Sequence, residues 1–337
     1  MANPLSNPLP SEKLSQFVST MRSTDIASAG INEYHLQYIR RMLPVLDYYV
    51  DIYARCIEWI TKQTQKPLEQ LTLVDYGGGE GFCSMLMKYI GAHQVIYVDM
   101  NPEASDTIGR LSDLMGWGPD VVLTGDARSL REWCQRESEV PDGVLGMDVI
   151  EHIYSLDEFF GELTSISPKI QMVFTTASTP YNRRKVRELH KVMLTDELGD
   201  EHHEGFLKMR RQFIQKHNPQ MGNEQLDYWA TNTRGLNYDD ILRAVDRNSP
   251  NLLRDKYNTC DPSTGSWTER ILPVEDYRQL LLPYQYQLDE ALGFYNEHHN
   301  GIKGTLARMA NRRIARRGGR RIAPFLFLTA TPSETNL

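Results

Sequence analysis

The feature that most constrains this chain is a glycine-rich turn, Asp75-Tyr76-Gly77-Gly78-Gly79-Glu80-Gly81, which closes the apolar run at 71–76 and leads into an amphipathic stretch from Phe82. Glycines here let the backbone turn tightly and let a ligand approach where a Cβ would clash. A helix that starts just beyond the turn offers unpaired N–H groups and the positive end of its dipole. Dinucleotide folds share a turn of this kind, but with the spacing Gly-x-Gly-x-x-Gly. In this chain the spacing is Asp-x-Gly-x-Gly-x-Gly. An acid ahead of the glycines suits an ammonium group better than a pyrophosphate.

From residue 71 onward short apolar strands alternate with helical stretches. Strands are predicted over 71–76, 94–99, 120–124, 143–147 and 170–175, with helices beginning near Phe82, Glu103, Leu130 and Leu156. This rhythm predicts an α/β fold with a parallel sheet covered by helices on both faces. Two further strand ends carry acids. Asp99 ends the second strand, where a carboxylate can accept both hydrogen bonds of a ribose diol. Asp126, in Thr124-Gly125-Asp126-Ala127-Arg128, ends the third, where an acid can take a bond from an adenine amino group. Ligands of open α/β sheets bind at these carboxyl ends.

Residues 74–84, Val98-Asp99-Met100-Asn101, Gly125-Asp126-Ala127 and Asp148-Val149-Ile150-Glu151-His152-Ile153 resemble the successive motifs of class I S-adenosylmethionine-dependent methyltransferases. The resemblance covers about 71–179 and the final strand. It implies a Rossmann-like seven-stranded sheet of order 3-2-1-4-5-7-6 with strand 7 antiparallel, and S-adenosyl-L-methionine as cofactor. It further implies that Asp75, Gly77, Gly79 and Gly81 hold the methionine part. Asp99 and Met100 would lie at the ribose, Asp126 and Ala127 at the adenine, and Asp148 at the mouth of the methyl-donor site.

The flanking sequence predicts the rest of the organisation. Residues 1–66 read as a helical cap, with Ser11 capping a first helix and a longer one over 32–64 that Pro44 kinks or breaks near Met42. Within it Tyr38, Ile39, Met42, Leu43, Leu46, Tyr49, Ile52 and Tyr53 recur at helical spacing, as the face of an amphipathic helix does. Residues 67–180 form the cofactor-binding core. The stretch 181–300 is too long for a connecting loop and reads as a mostly helical inserted lid or substrate region. Residues 301–337 carry a basic segment and a last buried strand over 322–330.

Methyl transfer to a hydroxyl needs an aligned nucleophile and a base for its proton. His203, in Asp200-Glu201-His202-His203-Glu204, and His152 are the candidate catalytic bases. His190, in a charged helical stretch, reads as a surface residue. Asp148-Val149-Ile150-Glu151-His152 is similar to the Glu-x-x-Glu-His metal-binding pattern of ubiquinone-biosynthesis O-methyltransferases and of enzymes that methylate the 2′-hydroxyl at RNA 3′ ends. That similarity implies a divalent metal held by Glu151, His152 and His202, although Asp148 stands where those families have Glu. The tract 257–277 holds a Pro-Ser-Thr-Gly turn beside Trp267, Glu269 and Arg270, which reads either as an acceptor surface or as a hairpin with a packed Trp.

Composition narrows the function classes. The net charge of −7 counts against a nucleic-acid partner, yet 302–322 holds eight Lys/Arg and no acid, a stripe able to meet phosphates or an anionic surface. No apolar run approaches the ~20 residues of a membrane span. The polar, proline-rich stretch 1–10 lacks the pattern of a secretory leader. Cys56, Cys83, Cys134 and Cys260 show no metal-knuckle spacing, so a cytoplasmic protein with reduced thiols is expected. The reading is an O-methyltransferase for a small-molecule or glycan hydroxyl. The alternatives are a metal-assisted RNA ribose 2′-O-methyltransferase and a non-catalytic partner protein that keeps the fold.

Overall fold

The computed structural model describes residues 9–253 and 255–333; most of the proline-rich stretch 1–10, and with it the leader expectation, lies outside the described residues. Helix α1 spans Ser11–Ser23, with Pro10 rather than Ser11 at its N-cap. The predicted long helix is two. α2 (Glu33–Met42) starts at Asn32, whose side chain accepts from His35 N, and α3 runs Leu46–Thr64. Pro44, with no N–H to donate, sits in the 3-10 turn Leu43–Val45 that separates them.

Then the core begins: β1 (Thr72–Tyr76), α4 (Phe82–Ile90), β2 (Gln94–Asp99), α5 (Pro102–Met115), β3 (Val121–Thr124), α6 (Ala127–Glu137), β4 (Gly143–Met147), α7 (Leu156–Ile166) and β5 (Gln171–Thr176). Helices α8 (Arg183–Leu198), α9 (Phe206–His217), α10 (Asn223–Asn232), α11 (Tyr238–Asp246) and α12 (Val274–Leu281) follow. The chain closes with β6 (Tyr286–Leu292), α13 (Gly301–Ile314) and β7 (Leu326–Pro332).

The seven strands form one sheet of order β3-β2-β1-β4-β5-β7-β6. β7 runs antiparallel to both of its neighbours, and the remaining pairs are parallel. This is a Rossmann-like seven-stranded sheet in the strand order that the resemblance implies. One face of the sheet is covered by α1–α5, through Phe17, Ile57, Leu86 and Leu111 among others. The other is covered by α6, α7 and α12, with Leu130, Phe160 and Tyr277. Helices α9–α11 have a small core of their own, built on Ile214, Leu226, Trp229 and Ile241.

Two elements differ from the sequence expectation. β6 falls inside the stretch 181–300, which was read as mostly helical; its inward positions, Tyr286 and Leu288, alternate with exposed Gln287 and Asp289 at the sheet edge. The last strand begins four residues later than expected, at Leu326. A 3-10 turn over Gly319–Arg321 takes up the preceding chain, and Pro324 cannot donate a ladder bond. All four cysteines are buried and free.

Candidate functional site

β1 ends between β2 and β4, so the glycine turn emerges at the carboxyl edge of the sheet. Val98 O accepts from Gly77 N at 2.8 Å and Gly78 N at 3.3 Å. Gly77, Gly79 and Gly81 have φ of 67°, 52° and 77°, the left-handed region that L side chains rarely adopt. Sterics add to this at two positions. A Cβ on Gly77 would stand 2.4 Å from Val149 Cγ2, and one on Gly81 2.2 Å from Ile108 Cδ1. At Gly79, by contrast, a Cβ would meet no atom within 4 Å, so the turn leaves room there.

Asp75 is buried under this turn. Its Oδ2 accepts from Ser84 N at 2.9 Å and Ser84 Oγ at 2.7 Å, which satisfies an orphan donor in the first turn of α4. Burial raises its carboxyl to about 6, against the lowering effect of the Ser84 bonds. Asp99 holds the turn from the next strand: its Oδ2 accepts from Gly79 N at 2.9 Å and its Oδ1 from Asn101 N at 2.8 Å. Tyr97 Oη donates to Gly79 O at 2.6 Å. Met100 is exposed beside Asp99. Asp126 is exposed at the end of β3 and caps α6, accepting from Ser129 N at 2.9 Å, while Ala127 is buried as the first helical residue. Asp75, Asp99 and Asp126 thus end three adjacent strands, β1, β2 and β3.

Over the turn lies a cleft of about 240 Å³. Its floor is Asp75, Gly77, Gly78, Gly79, Glu80, Phe82 and Cys83; Met147, Asp148 and Thr175 form one wall. Tyr38, Met42, Tyr49, Ile52 and Tyr53 of α2 and α3 form the roof. By periodicity those tyrosines read as the apolar face of a helix, and that face is what closes the cleft. The signal was the phenols themselves, since a purely structural face needs no hydroxyls. Burial raises the Tyr38 phenol to about 12, with Glu80 adding to it, and also raises Tyr49 and Tyr53. The roof is therefore neutral. It is fastened to the turn by buried His35, whose Nδ1 lies 3.0 Å from Glu80 Oε1.

Asp148 has φ 49°, uncommon for a side-chain-bearing residue and a mark of local constraint. Its N donates to Thr175 O at 3.2 Å. Its side chain is solvent-accessible but ringed by protein in the wall of the cleft. That enclosure pushes its carboxyl upward, while the Thr175 hydroxyl opposes the shift.

The chain after Asp148 is held by a segment more than a hundred residues away. Trp267 N donates to His152 O and Arg270 N to Glu151 O, each at 3.1 Å. His152 Nδ1 donates to Trp267 O at 2.8 Å, and Trp267 Nε1 to Tyr154 O at 3.2 Å. Trp267 is buried, as in the packed-hairpin alternative. The strip sets Glu269 beside Glu151 and His152, with one ligand atom from each residue within 4.8 Å of the others. Glu151 is buried and its Oε2 finds no hydrogen-bond partner among the described residues. Burial first, then the Asp148 carboxylate, hold the Glu151 carboxyl well above its ordinary range. One imidazole and two carboxylates, with an unpaired buried oxygen, fit the donor set of a divalent ion. Glu269 carried no sequence signal for this, because its partners are remote in the chain.

His202 and His203 do not join this group. Both lie on the exposed loop between α8 and α9, which the Gly199–Glu204 bridge closes on itself. Asp200 Oδ1 accepts from His202 N at 2.8 Å and lies 2.8 Å from His203 Nδ1, while His203 Nε2 is 3.6 Å from Asp196. The loop bounds a separate, open depression of about 510 Å³. Neither histidine lines the cleft. This placement lends no support to the expectation of His203 as base and His202 as metal ligand: Asp200 and Asp196 engage the His203 imidazole, and Asp200 accepts from the His202 backbone N–H. His190 stacks on Tyr257, with ring centroids 3.7 Å apart.

No family model matches the sequence. No curated protein matches it. Among solved structures, it is similar to the magnesium protoporphyrin IX methyltransferase of Synechocystis PCC 6803 with bound SAH, at 13% identity over 84% of this chain and 83% of that one, TM-score 0.41. A SAM-dependent methyltransferase from Archaeoglobus fulgidus matches at 15% identity over 87% and 99% of the two chains, TM-score 0.40. The plantazolicin methyltransferase in complex with SAH matches at 12% identity over 96% and 99%, TM-score 0.38.

Proposed function

We propose that the chain is an S-adenosylmethionine-dependent methyltransferase acting on a hydroxyl of a small molecule or glycan. The observation that carries this reading is the set of three strand-end carboxylates, Asp75, Asp99 and Asp126, arranged around a turn whose Gly79 faces open space. In this reading Asp75, Gly77, Gly79 and Gly81 receive the methionine end of the cofactor. Asp99 takes the ribose diol beside Met100, and Asp126 with Ala127 takes the adenine. Asp99 already accepts backbone N–H groups with both oxygens. Each carboxylate oxygen has further acceptor capacity, so the diol adds to the network without displacing the turn.

Asp148 then stands at the methyl end, under the tyrosine roof. In the reaction the acceptor oxygen forms a bond to the methyl carbon while the sulfonium–carbon bond breaks, and the thioether leaves neutral. His152 does not itself line the cleft but follows Asp148, which does, by four residues; in this reading it receives the hydroxyl proton on Nε2, because its Nδ1 proton is committed to Trp267 O. The neutral phenols and aliphatic side chains of the roof suit a compact, partly apolar acceptor.

A second reading rests on the unpaired Glu151 Oε2: Glu151, His152 and Glu269 would hold a divalent cation. Bound there, the ion would supply Lewis-acid lowering of the acceptor hydroxyl's pKa. Calorimetry with S-adenosylmethionine and S-adenosylhomocysteine tests the donor site, and absence of binding sinks the proposal. Methyl transfer to a hydroxyl panel with and without chelator separates the two acceptor chemistries. Proton transfer to His152 survives chelation, whereas the cation reading requires loss of activity and its return with added divalent metal.

A further inference from the structure

Helix α13 is set firmly against the fold on one side and presents an unusual face on the other. Gly304, Ala307 and Ile314 are buried against the body. Asn311 Oδ1 accepts from Tyr295 N at 2.8 Å and its Nδ2 donates to Tyr295 O at 2.9 Å. A Cβ on Gly304 would fall 1.9 Å from His299 O, so the helix lies flush on the preceding loop. The opposite face carries Ile302, Leu306 and Met309, which are 80%, 58% and 60% exposed. They stand four and three residues apart, one stripe of a helix.

Around the stripe the side chains are basic. Lys303, Arg308, Arg312 and Arg313 lie on the helix, Arg316 and Arg317 just beyond it, and no acid occurs over 302–322. Among the described residues, Lys303, Arg312, Arg313, Arg316 and Arg317 make no ion pair; Arg320 pairs with Glu290 at 2.6 Å. The chain as a whole is acidic, at −7, so this patch opposes the sign of the rest of the molecule.

We propose that α13 docks the protein on an anionic lipid surface, with Ile302, Leu306 and Met309 at the boundary of headgroup and acyl chain and the flanking cations on lipid phosphates. The two halves of the patch select this occupant together. An apolar stripe gains nothing on a phosphate backbone, where cations alone suffice and aromatic stacking adds the rest. A second copy meeting helix to helix would oppose like charges. A basic helix with an apolar edge is what lies in a bilayer interface. No helix among the described residues is long and apolar enough to cross a membrane, so the contact is peripheral.

The position of α13 also relates it to the cleft. The loop leading into it is tied to α3: Tyr48 Oη donates to Phe294 O at 2.8 Å, Arg55 lies 4.0 Å over the Phe294 ring, and His298 Nε2 is 2.7 Å from Asp51 Oδ2. Tyr49, Ile52 and Tyr53 of the same helix line the cleft roof. A docked α13 therefore holds the cleft roof near the lipid, where an acceptor dissolved in or attached to the bilayer is reached. The docking itself is independent of the methyltransferase reading.

The test is co-sedimentation of the full chain with vesicles of phosphatidylcholine alone, or of phosphatidylcholine mixed with phosphatidylglycerol, at low and near-physiological salt. Binding is expected to the anionic vesicles and not to the neutral ones. R312E/R313E should lower it by on the order of tenfold or more, and I302S/L306S/M309S by about tenfold at fixed charge. All five positions are exposed and away from the core, so unchanged thermal melts certify that both variants are folded. Failure of the wild-type chain to bind anionic vesicles at low salt overturns the proposal. So does lipid binding that the apolar variant leaves untouched, with equally tight binding of a single-stranded RNA oligonucleotide, which would make the patch a phosphate rail. Concentration-dependent dimers abolished by I302S/L306S/M309S would likewise overturn it in favour of self-association.

Discussion

His152 Nδ1 lies 2.8 Å from the carbonyl oxygen of Trp267. A carbonyl only accepts, so that ring nitrogen carries the proton and Nε2 presents its lone pair. The fixed tautomer comes from a segment that also pins the backbone of residues 151 and 152. The relationship gives His152, already a candidate base from its place five residues after β4, a defined orientation.

His152→Ala should accordingly lower turnover by roughly 10²–10⁴-fold, the span of a positioned general base. S-adenosylhomocysteine affinity should change little, since the imidazole is not among the cofactor groups. Single-turnover rates and calorimetry on the same preparations read the two effects separately. An active His152→Ala enzyme with ordinary rates would remove the residue from the chemistry.

Asp75 makes a prediction about pH. Burial raises its carboxyl from 3.8 to about 6 in the folded protein. The folded state therefore holds its proton over a range where the unfolded chain has lost it. Stability from this group is complete below about pH 4 and declines as pH rises through about 6. The shift corresponds to about 3 kcal/mol. Asp75→Asn cannot ionise, so the unfolding free energy of wild type minus that of the variant, without ligand, should fall across this window. At pH 7 the variant should be at least as stable as wild type, yet bind S-adenosylmethionine more weakly. A flat difference curve would show that Asp75 is not buried as described.

How much of this was legible beforehand follows from how local each signal is. The glycine turn, Asp99 and Asp126 sit at the ends of their own strands, so their placement needs only the order of strands and helices. The helix starts at Phe82 and Leu156 were read correctly for the same reason. β6 was missed because in Tyr286-Gln287-Leu288-Asp289-Glu290-Ala291-Leu292 the apolar alternation is short, two buried positions followed by the acidic pair Asp289-Glu290 at the sheet edge. Glu269 was invisible as a partner of Glu151 because 118 residues separate them, and the Trp267–His152 and Arg270–Glu151 backbone pairings bring them together. His203 misled for the converse reason. A His-rich loop attracts attention in sequence, but Asp200 three residues earlier is enough to hold its imidazole.

Asp99 bears on both the turn and the ligand. Its two oxygens hold Gly79 N and Asn101 N, so Asp99→Ala should weaken S-adenosylhomocysteine binding by about 1–3 kcal/mol, the scale for lost hydrogen bonds to a charged group. Asp99→Asn keeps one acceptor oxygen and should lose less. Calorimetric affinities in the order wild type, Asn, Ala are expected; an Ala variant that binds as wild type does would displace Asp99 from the site.

The inserted helices depend on one buried pair. Arg210 is fully buried, and its Nη2 lies 2.5 Å from Glu197 Oε1 with Nη1 3.2 Å from Oε2. Its Nε donates to Ala230 O at 2.8 Å, and Thr259 Oγ1 donates to Glu197 Oε2 at 2.7 Å. The pair thus ties α8, α9, the end of α10 and the strip that leads to Trp267. Removing one partner leaves a buried charge without its counterion, so Arg210→Ala should cost about 3–5 kcal/mol. Replacing both, as in Arg210→Met with Glu197→Leu, removes the charges together and should recover much of that loss. Urea unfolding of the two single variants and the double gives the coupling. Limited proteolysis locates the opening, which is expected within 183–259 ahead of the sheet. A single variant that loses under about 1 kcal/mol would place the pair at a solvated surface, and the insertion would then need another clasp.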